Sequence, residues 1–207
     1  MSEVVLWDYP KSSASYRVRI ALNLAGLAYE TRIVNLLDKE HRGAEHLARN
    51  PQGLVPVLKI DGQLFTQSLA ILDYLDQTRA MGWLPEDPAD QASARALAYC
   101  IAVDLHPVCN LSVMVAATGG QEPARTQWMH RFIRPGLEAF EALLAGFKQS
   151  PFATGDAPGM ADLCLIPQLY NANRWGVAYD DLPRIKSVEA ACVALPEFAD
   201  AHPDLTG

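Results

Sequence analysis

Two different periods of apolar residues divide this chain. As far as Arg79, short apolar runs alternate with helical spacings. Val4-Val5-Leu6-Trp7 has the length and β-branched content of a strand, and Val18, Ala21, Leu22 and Ala25 recur at the spacing of one helix face. Gly26 stops that helix, because glycine accepts the left-handed backbone on which helices end. Tyr29 to Asn35 reads as a second strand, and Val57 to Ile60 and Leu64 to Thr66 flank Asp61-Gly62, a pair suited to a type I′ hairpin turn. A helix from Ser68 to about Arg79, with Ser68 as its cap, completes the order βαβ(α)ββα. Beyond Gly82-Trp83-Leu84-Pro85-Glu86-Asp87-Pro88 the strand pattern disappears. Ala94, Leu97, Ala98 and Ile101 mark one amphipathic helix, Leu137, Phe140 and Leu144 another, and Val188, Ala191, Cys192 and Leu195 a third. The pattern predicts a small α/β domain over residues 1–82 followed by an all-α helical domain over 83–207.

Composition narrows the function. Half of the 207 residues are hydrophobic, yet no run approaches the ~20 apolar residues of a membrane span, and the N-terminus has no cationic, apolar leader. A soluble protein with no membrane partner is expected. The net charge of -7 speaks against a nucleic-acid partner, since phosphates call for a basic surface, and leaves small ligands. Cys100, Cys109, Cys164 and Cys192 show no CxxC pair and no metal-ligand spacing with the five histidines. No metal is expected, and reduced thiols fit a cytoplasmic protein.

Three short motifs carry candidate chemistry. Lys11-Ser12-Ser13-Ala14-Ser15-Tyr16-Arg17-Val18-Arg19 puts hydroxyls at a helix start, where free N–H groups and the helix dipole stabilise an anion such as a thiolate. Neither Ser12 nor Ser13 has Glu or Gln three residues on, so no capping box accounts for them, although simple capping does. In Asn50-Pro51-Gln52-Gly53-Leu54-Val55-Pro56-Val57, Pro56 suits a first strand position. A cis Val55–Pro56 bond would turn the Val55 backbone outward to pair with an extended peptide; an ordinary loop proline is the competing reading. In Gln67-Ser68-Leu69-Ala70-Ile71 a strand hands over to a helix. There Ser68 and the first helical N–H groups suit a carboxylate and Gln67 adds an amide, with capping by Ser68 as the alternative.

In this order and on these elements, the motifs resemble those of the glutathione transferases. Ser12-Ser13-x-Ser15-Tyr16-Arg17-Val18-Arg19-Ile20-Ala21-Leu22 and Asn50 to Pro56 are similar to the zeta class, the maleylacetoacetate isomerases. Asp104-Leu105-His106-Pro107, Asn110-Leu111-Ser112-Val113, the run Met160 to Gln168 and Asn171-Ala172-Asn173-Arg174 extend the likeness over nearly the whole chain. The resemblance implies a thioredoxin-like, glutathione-binding N-terminal domain and an all-helical domain that shapes the second substrate's pocket. It further implies that Ser12, with Ser13 beside it, hydrogen-bonds the glutathione thiolate and lowers its pKa. Val55, next to Pro56, would bind the cysteinyl backbone, Gln67 and Ser68 the γ-glutamyl end, and His41 and Asn110 would add contacts. His106, in a helix that Pro107 should kink, would polarise an enolate oxygen or shuttle a proton. Arg174 and, second, Lys11 would hold the carboxylates of the substrate.

The implied activity is conversion of maleylacetoacetate, a dicarboxylate keto acid, to fumarylacetoacetate in phenylalanine and tyrosine breakdown. Reversible thiolate addition would regenerate the glutathione cofactor. The family analogy also implies a homodimer. Maleylpyruvate is the nearest alternative substrate; a general glutathione transferase or dehalogenase, and a non-catalytic transferase-like interaction module, are the others. Two positions depart from the family pattern. Ala14 stands where most zeta-class motifs have cysteine, so the reacting sulfur should come from glutathione alone. Gly159 replaces a Ser or Thr cap ahead of Met160-Ala161-Asp162, at an expected cost of a few tenths of a kcal/mol, with Asp162 left to serve the first turn by charge.

Overall fold

A mixed four-stranded sheet organises the first half of the chain in the computed structural model, which describes residues 3–148 and 151–205. The order is β1 (Val5–Asp8), α1 (Ser13–Leu24), β2 (Glu30–Ile33), a 3-10 turn Glu40–Arg42, α2 (Ala44–Arg49), β3 (Val57–Ile60), β4 (Gln63–Thr66) and α3 (Ser68–Arg79). The strands lie in the order β2-β1-β3-β4, with β1 and β2 parallel across the α1 crossover and the other pairs antiparallel. Asp61 and Gly62 both adopt positive φ, 52° and 77°, as a type I′ hairpin requires. β2 is shorter than its apolar pattern predicts, because Asn35 Oδ1 accepts the Leu37 N–H at 3.0 Å and turns the chain.

Every residue of α1 from Ser15 to Leu22 is buried, so its two arginines must find partners inside. Arg19 donates from Nη1 to both Asp8 oxygens at 2.9 and 2.8 Å, from Nη2 to the Pro10 carbonyl at 2.9 Å, and from Nε to the Ala201 carbonyl at 3.0 Å. The Arg19–Asp8 ion pair is fully buried on both sides. The Ala201 bond also bears on the domain division. The chain forms two compact units, one comprising Met1–Met81 with Leu195–Gly207 and the other Gly82–Ala194. Residues 195–205 thus join the first unit instead of the helical one. Arg19 and Asn23, whose Nδ2 donates to the Glu197 carbonyl at 2.9 Å, hold the segment while Phe198 and Ala201 are buried. Its helical periodicity carries no sign of which unit it joins.

The second unit is helical: α4 (Pro88–Tyr99), α5 (His106–Val108), α6 (Leu111–Thr118), α7 (Ala124–Leu144), α8 (Met160–Arg174) and α9 (Pro183–Val193). Asp87 caps α4, its Oδ1 accepting from Ala89 and Asp90 N–H groups, with Pro88 at the first helical position. A wide π-type turn, Cys100–Leu105, joins α4 to α5, and His106 N–H reaches back five residues to the Ile101 carbonyl. Pro107 explains it, since the ring crowds the carbonyl four residues earlier and brings no N–H. The chain then bends 45° between Pro88–Val108 and Leu111–Thr118. Among the described residues no single helix is long and apolar enough to cross a membrane.

Gly159 has a packing reason. A Cβ there would lie 2.9 Å from Thr154 Oγ1 and 3.1 Å from the Trp83 carbonyl, so a Ser or Thr cap does not fit this corner. Asp162 serves the helix start through direct hydrogen bonds. It is fully buried, accepting from the Gly159 and Ala153 N–H groups at 2.8 and 2.9 Å and from the Cys192 thiol at 3.7 Å. Burial pushes its pKa up to about 6.

Candidate functional site

Strand register brings the three N-terminal motifs to one end of the sheet. Trp7 in β1 pairs with Val57 in β3, and Val57 pairs with Thr66 in β4. The chain therefore leaves β1 toward Ser12, enters β3 from Val55-Pro56 and leaves β4 into Gln67-Ser68, all at the same sheet end. Ser12 is the N-cap of α1, half-buried, in extended backbone, and its Oγ accepts the Ser15 N–H at 3.2 Å. With its oxygen so engaged, the Ser12 proton is free to point toward an anion. Ser13 is buried in the first turn, Ala14 is half-buried and Lys11 is exposed.

The loop before β3 is fixed from beneath. The Val55–Pro56 peptide is cis, and the Val55 side chain packs against Val5, Trp7, Val34 and Val57 on one sheet face. The Leu54 carbonyl accepts from Asn50 Nδ2 at 2.8 Å and from His46 Nε2 at 3.0 Å, both side chains buried. Asn50 Oδ1 in turn accepts the Gln52 N–H at 3.1 Å. Gly53 is required here: its φ is +62°, and a Cβ would come within 2.9 Å of the His41 carbonyl. His41 itself lies half-buried in the 3-10 turn, and burial, followed by the charges of Arg42 and His46, lowers its pKa. Its Nδ1 is buried and unbonded among the described residues.

Ser68 is not the cap of α3. That position is taken by Gln67, at φ 66° and ψ 109°, and its side chain makes no bond to the helix. Gln67 thus gives the first-turn N–H groups no capping bond, and Ser68, first residue of the helix, accepts on Oγ from the buried Arg17 Nη1 at 3.1 Å. A hydroxyl, a helix start and a guanidinium behind it make a local site for a carboxylate.

In the helical unit, His106 is half-buried beside the π-type turn. Asn110 occupies the N-cap of α6 without making the capping bond, so its amide is not committed to the helix. Arg174 closes α8 exposed, its guanidinium 5.8 Å from the Tyr170 ring centroid and with no carboxylate partner among the described residues. Other arginines of this unit are engaged: Arg134 with Asp181 and Glu138, Arg125 with Glu122, Arg184 with Glu141.

Residue-by-residue reading misses Arg17, His46, Asn50, Gln52 and Gly53 as supports of this region. Asn50 and Gly53 had a signal, since Asn-Pro-x-Gly is a turn sequence in which Asn bonds its own loop. Arg17 and His46 had none, because their partners lie 51 and 8 residues away.

Comparison with known proteins agrees with this geometry. Residues 2–77 match the family model for the glutathione S-transferase N-terminal domain, and 126–203 that for the C-terminal domain. A maleylacetoacetate isomerase of Rhizobium meliloti (strain 1021) is 54% identical, over 98% of this chain and 97% of the relative. Among solved structures, the holo form of a maleyl pyruvate isomerase, described as a bacterial zeta-class glutathione S-transferase, superposes with a TM-score of 0.93 at 37% identity, covering 98% of each chain. The maleylacetoacetate isomerase of Anaeromyxobacter dehalogenans 2CP-1, with bound GSH in the active site, gives 0.88 at 40% identity over 99% and 96% of the two chains. The same protein with bound dicarboxyethyl glutathione and citrate gives 0.87 at 39% identity over the same shares. With the sheet topology, both family models and full-length relatives in agreement, the chain belongs to the glutathione S-transferase family.

Proposed function

We propose that the chain is a glutathione-dependent cis–trans isomerase converting maleylacetoacetate to fumarylacetoacetate. The observation that carries this reading is the meeting, at one sheet end, of the Ser12 helix start, the Val55 strand entry and the Gln67-Ser68 corner. These groups fit a γ-glutamyl tripeptide thiol: a helix start for its sulfur, an extended edge for its backbone, and amide plus hydroxyl for its amino-acid end. When bound, glutathione supplies a thiolate that adds reversibly across the cis double bond, leaving a single bond free to rotate before the sulfur departs.

Each residue then has a defined task. Ser12 donates its hydroxyl proton to the thiolate and, with the α1 N-terminus, keeps the thiol pKa low; Ser13 adds to the same helix start. Val55, set by Pro56, pairs its backbone with the cysteinyl residue, Gln67 and Ser68 take the γ-glutamyl end, and His41 and Asn110 give uncharged contacts. His106 donates to the substrate carbonyl oxygen as negative charge develops there. Arg174, without an acidic partner among the described residues, grips one substrate carboxylate with two parallel hydrogen bonds, and Lys11 attracts the other. The first unit is thus the glutathione-binding part and the helical unit the substrate-binding part. We place the enzyme in the cytoplasm, as a homodimer, in phenylalanine and tyrosine breakdown.

Maleylpyruvate is a second reading, favoured by the 0.93 TM-score with the maleyl pyruvate isomerase. Supplying the two substrates separately with catalytic glutathione tests both. Faster turnover of maleylacetoacetate, with a raised substrate KM in Arg174→Ala, supports the first reading; turnover of maleylpyruvate alone replaces it with the second.

A further inference from the structure

The Gln67 amide is held by a second amide outside the motif that carries it. Gln67 Nε2 donates to Gln52 Oε1 at 2.7 Å. Both side chains are exposed, but both backbones are constrained. Gln67 sits in a left-handed conformation between β4 and α3. The Gln52 N–H is bonded to Asn50 Oδ1, its carbonyl accepts from Arg42 Nη1 at 3.3 Å, and the tightly packed Gly53 follows it.

A primary amide has donors at one end and acceptors at the other, so a bond to one end decides which faces outward. With Nε2 engaged by Gln52, Gln67 offers its Oε1; with Oε1 engaged, Gln52 offers its Nε2. One acceptor beside one donor matches an α-amino acid zwitterion, the acceptor for its ammonium and the donor for its carboxylate. Ser68 completes the set, since Arg17 occupies its oxygen and its proton is left for the same carboxylate.

We propose that Gln52 is a specificity-determining residue of the glutathione site, orienting the Gln67 amide so that the pair recognises the ammonium as well as the carboxylate of the γ-glutamyl end. This rests on the reading of the Gln67-Ser68 corner as the γ-glutamyl subsite.

The test is calorimetric titration of the full chain with glutathione and with its deamino analogue, in which hydrogen replaces the γ-glutamyl ammonium. Wild type, Gln52→Met, Gln67→Met and the double variant are compared. One neutral hydrogen bond corresponds to about 2- to 10-fold in Kd. Gln52→Met, which removes both the orienting acceptor and a donor to the carboxylate, should weaken glutathione by at least roughly that factor and the deamino peptide by less, and so shrink the discrimination between them. The double variant should lose less than the two single losses added together, and Gln52→Glu, which keeps the acceptor, should retain the discrimination. In turnover, KM for glutathione should rise by more than kcat falls. Equal weakening of both peptides in Gln52→Met, or losses that add in the double variant, overturns the inference alone. Failure of the wild-type chain to bind either peptide overturns the subsite reading and the inference with it.

Discussion

Replacing Ser12 with alanine removes the oxygen that caps α1 and that we propose also binds the glutathione thiolate, and the two purposes differ in size. As N-cap, Ser12 Oγ accepts a single bond from Ser15 N–H at 3.2 Å, at the long end of the range, on a half-buried residue. Its loss should cost about 1 kcal/mol of folding stability. As donor to a thiolate, the same hydroxyl would make a charge-assisted bond of about 1.5–3 kcal/mol, equivalent to roughly 1–2 pKa units on the bound thiol. Titrating the thiolate absorbance of the glutathione complex measures the second quantity and denaturant unfolding of the free protein the first. Ser12→Gly retains most of the cap energy without the hydroxyl, and Ser12→Thr keeps both. Alanine and glycine should therefore raise the bound thiol pKa alike while differing in stability, and threonine should resemble wild type. If Ser12→Ala is destabilised but its bound thiol titrates as before, the hydroxyl only caps α1, and the thiolate depends on backbone N–H groups or Ser13.

Other outcomes follow from the buried polar groups. Arg19→Met leaves the fully buried Asp8 carboxyl without its partner, which should cost about 3–5 kcal/mol and increase hydrogen exchange in residues 195–205, read by mass spectrometry. Asp162 has a pKa raised by burial to about 6 in the fold, so its contribution is fully present below about pH 4 and lost as pH rises through 6. Wild type minus Asp162→Asn should accordingly fall by up to about 3 kcal/mol between pH 4 and pH 7, measured by unfolding at each pH. Gly53→Ala combines a φ of +62° with a close approach to the His41 carbonyl, and should lose at least about 1 kcal/mol while raising the KM for glutathione.

The sheet and its crossover were legible because β1, β3 and β4 are short apolar runs with Asp61-Gly62 between two of them, and α1 carries an apolar face ended by Gly26. What was hidden depends on partners distant in sequence. The cap of α3 shifts from Ser68 to Gln67 because Arg17 claims the serine oxygen. Residues 195–205 change units because two side chains of α1 bind their carbonyls. Gly159 replaces a hydroxyl cap because Thr154 and Trp83 fill the space. The candidate site divides in the same way. Ser12, Val55-Pro56 and Gln67-Ser68 stand in recognisable local motifs, whereas the amide pair of Gln52 and Gln67 forms only once the β3 entry loop folds back beside the end of β4.

Glutathione is expected to act as a cofactor held at the α1, β3 and α3 ends of one sheet. The most direct measurement is the number of product molecules formed per molecule of glutathione when maleylacetoacetate is supplied in large excess. The expected result is many turnovers to the trans isomer with the free thiol recovered in full. One glutathione consumed for each substrate molecule, or isomerisation at the same rate without glutathione, would contradict it.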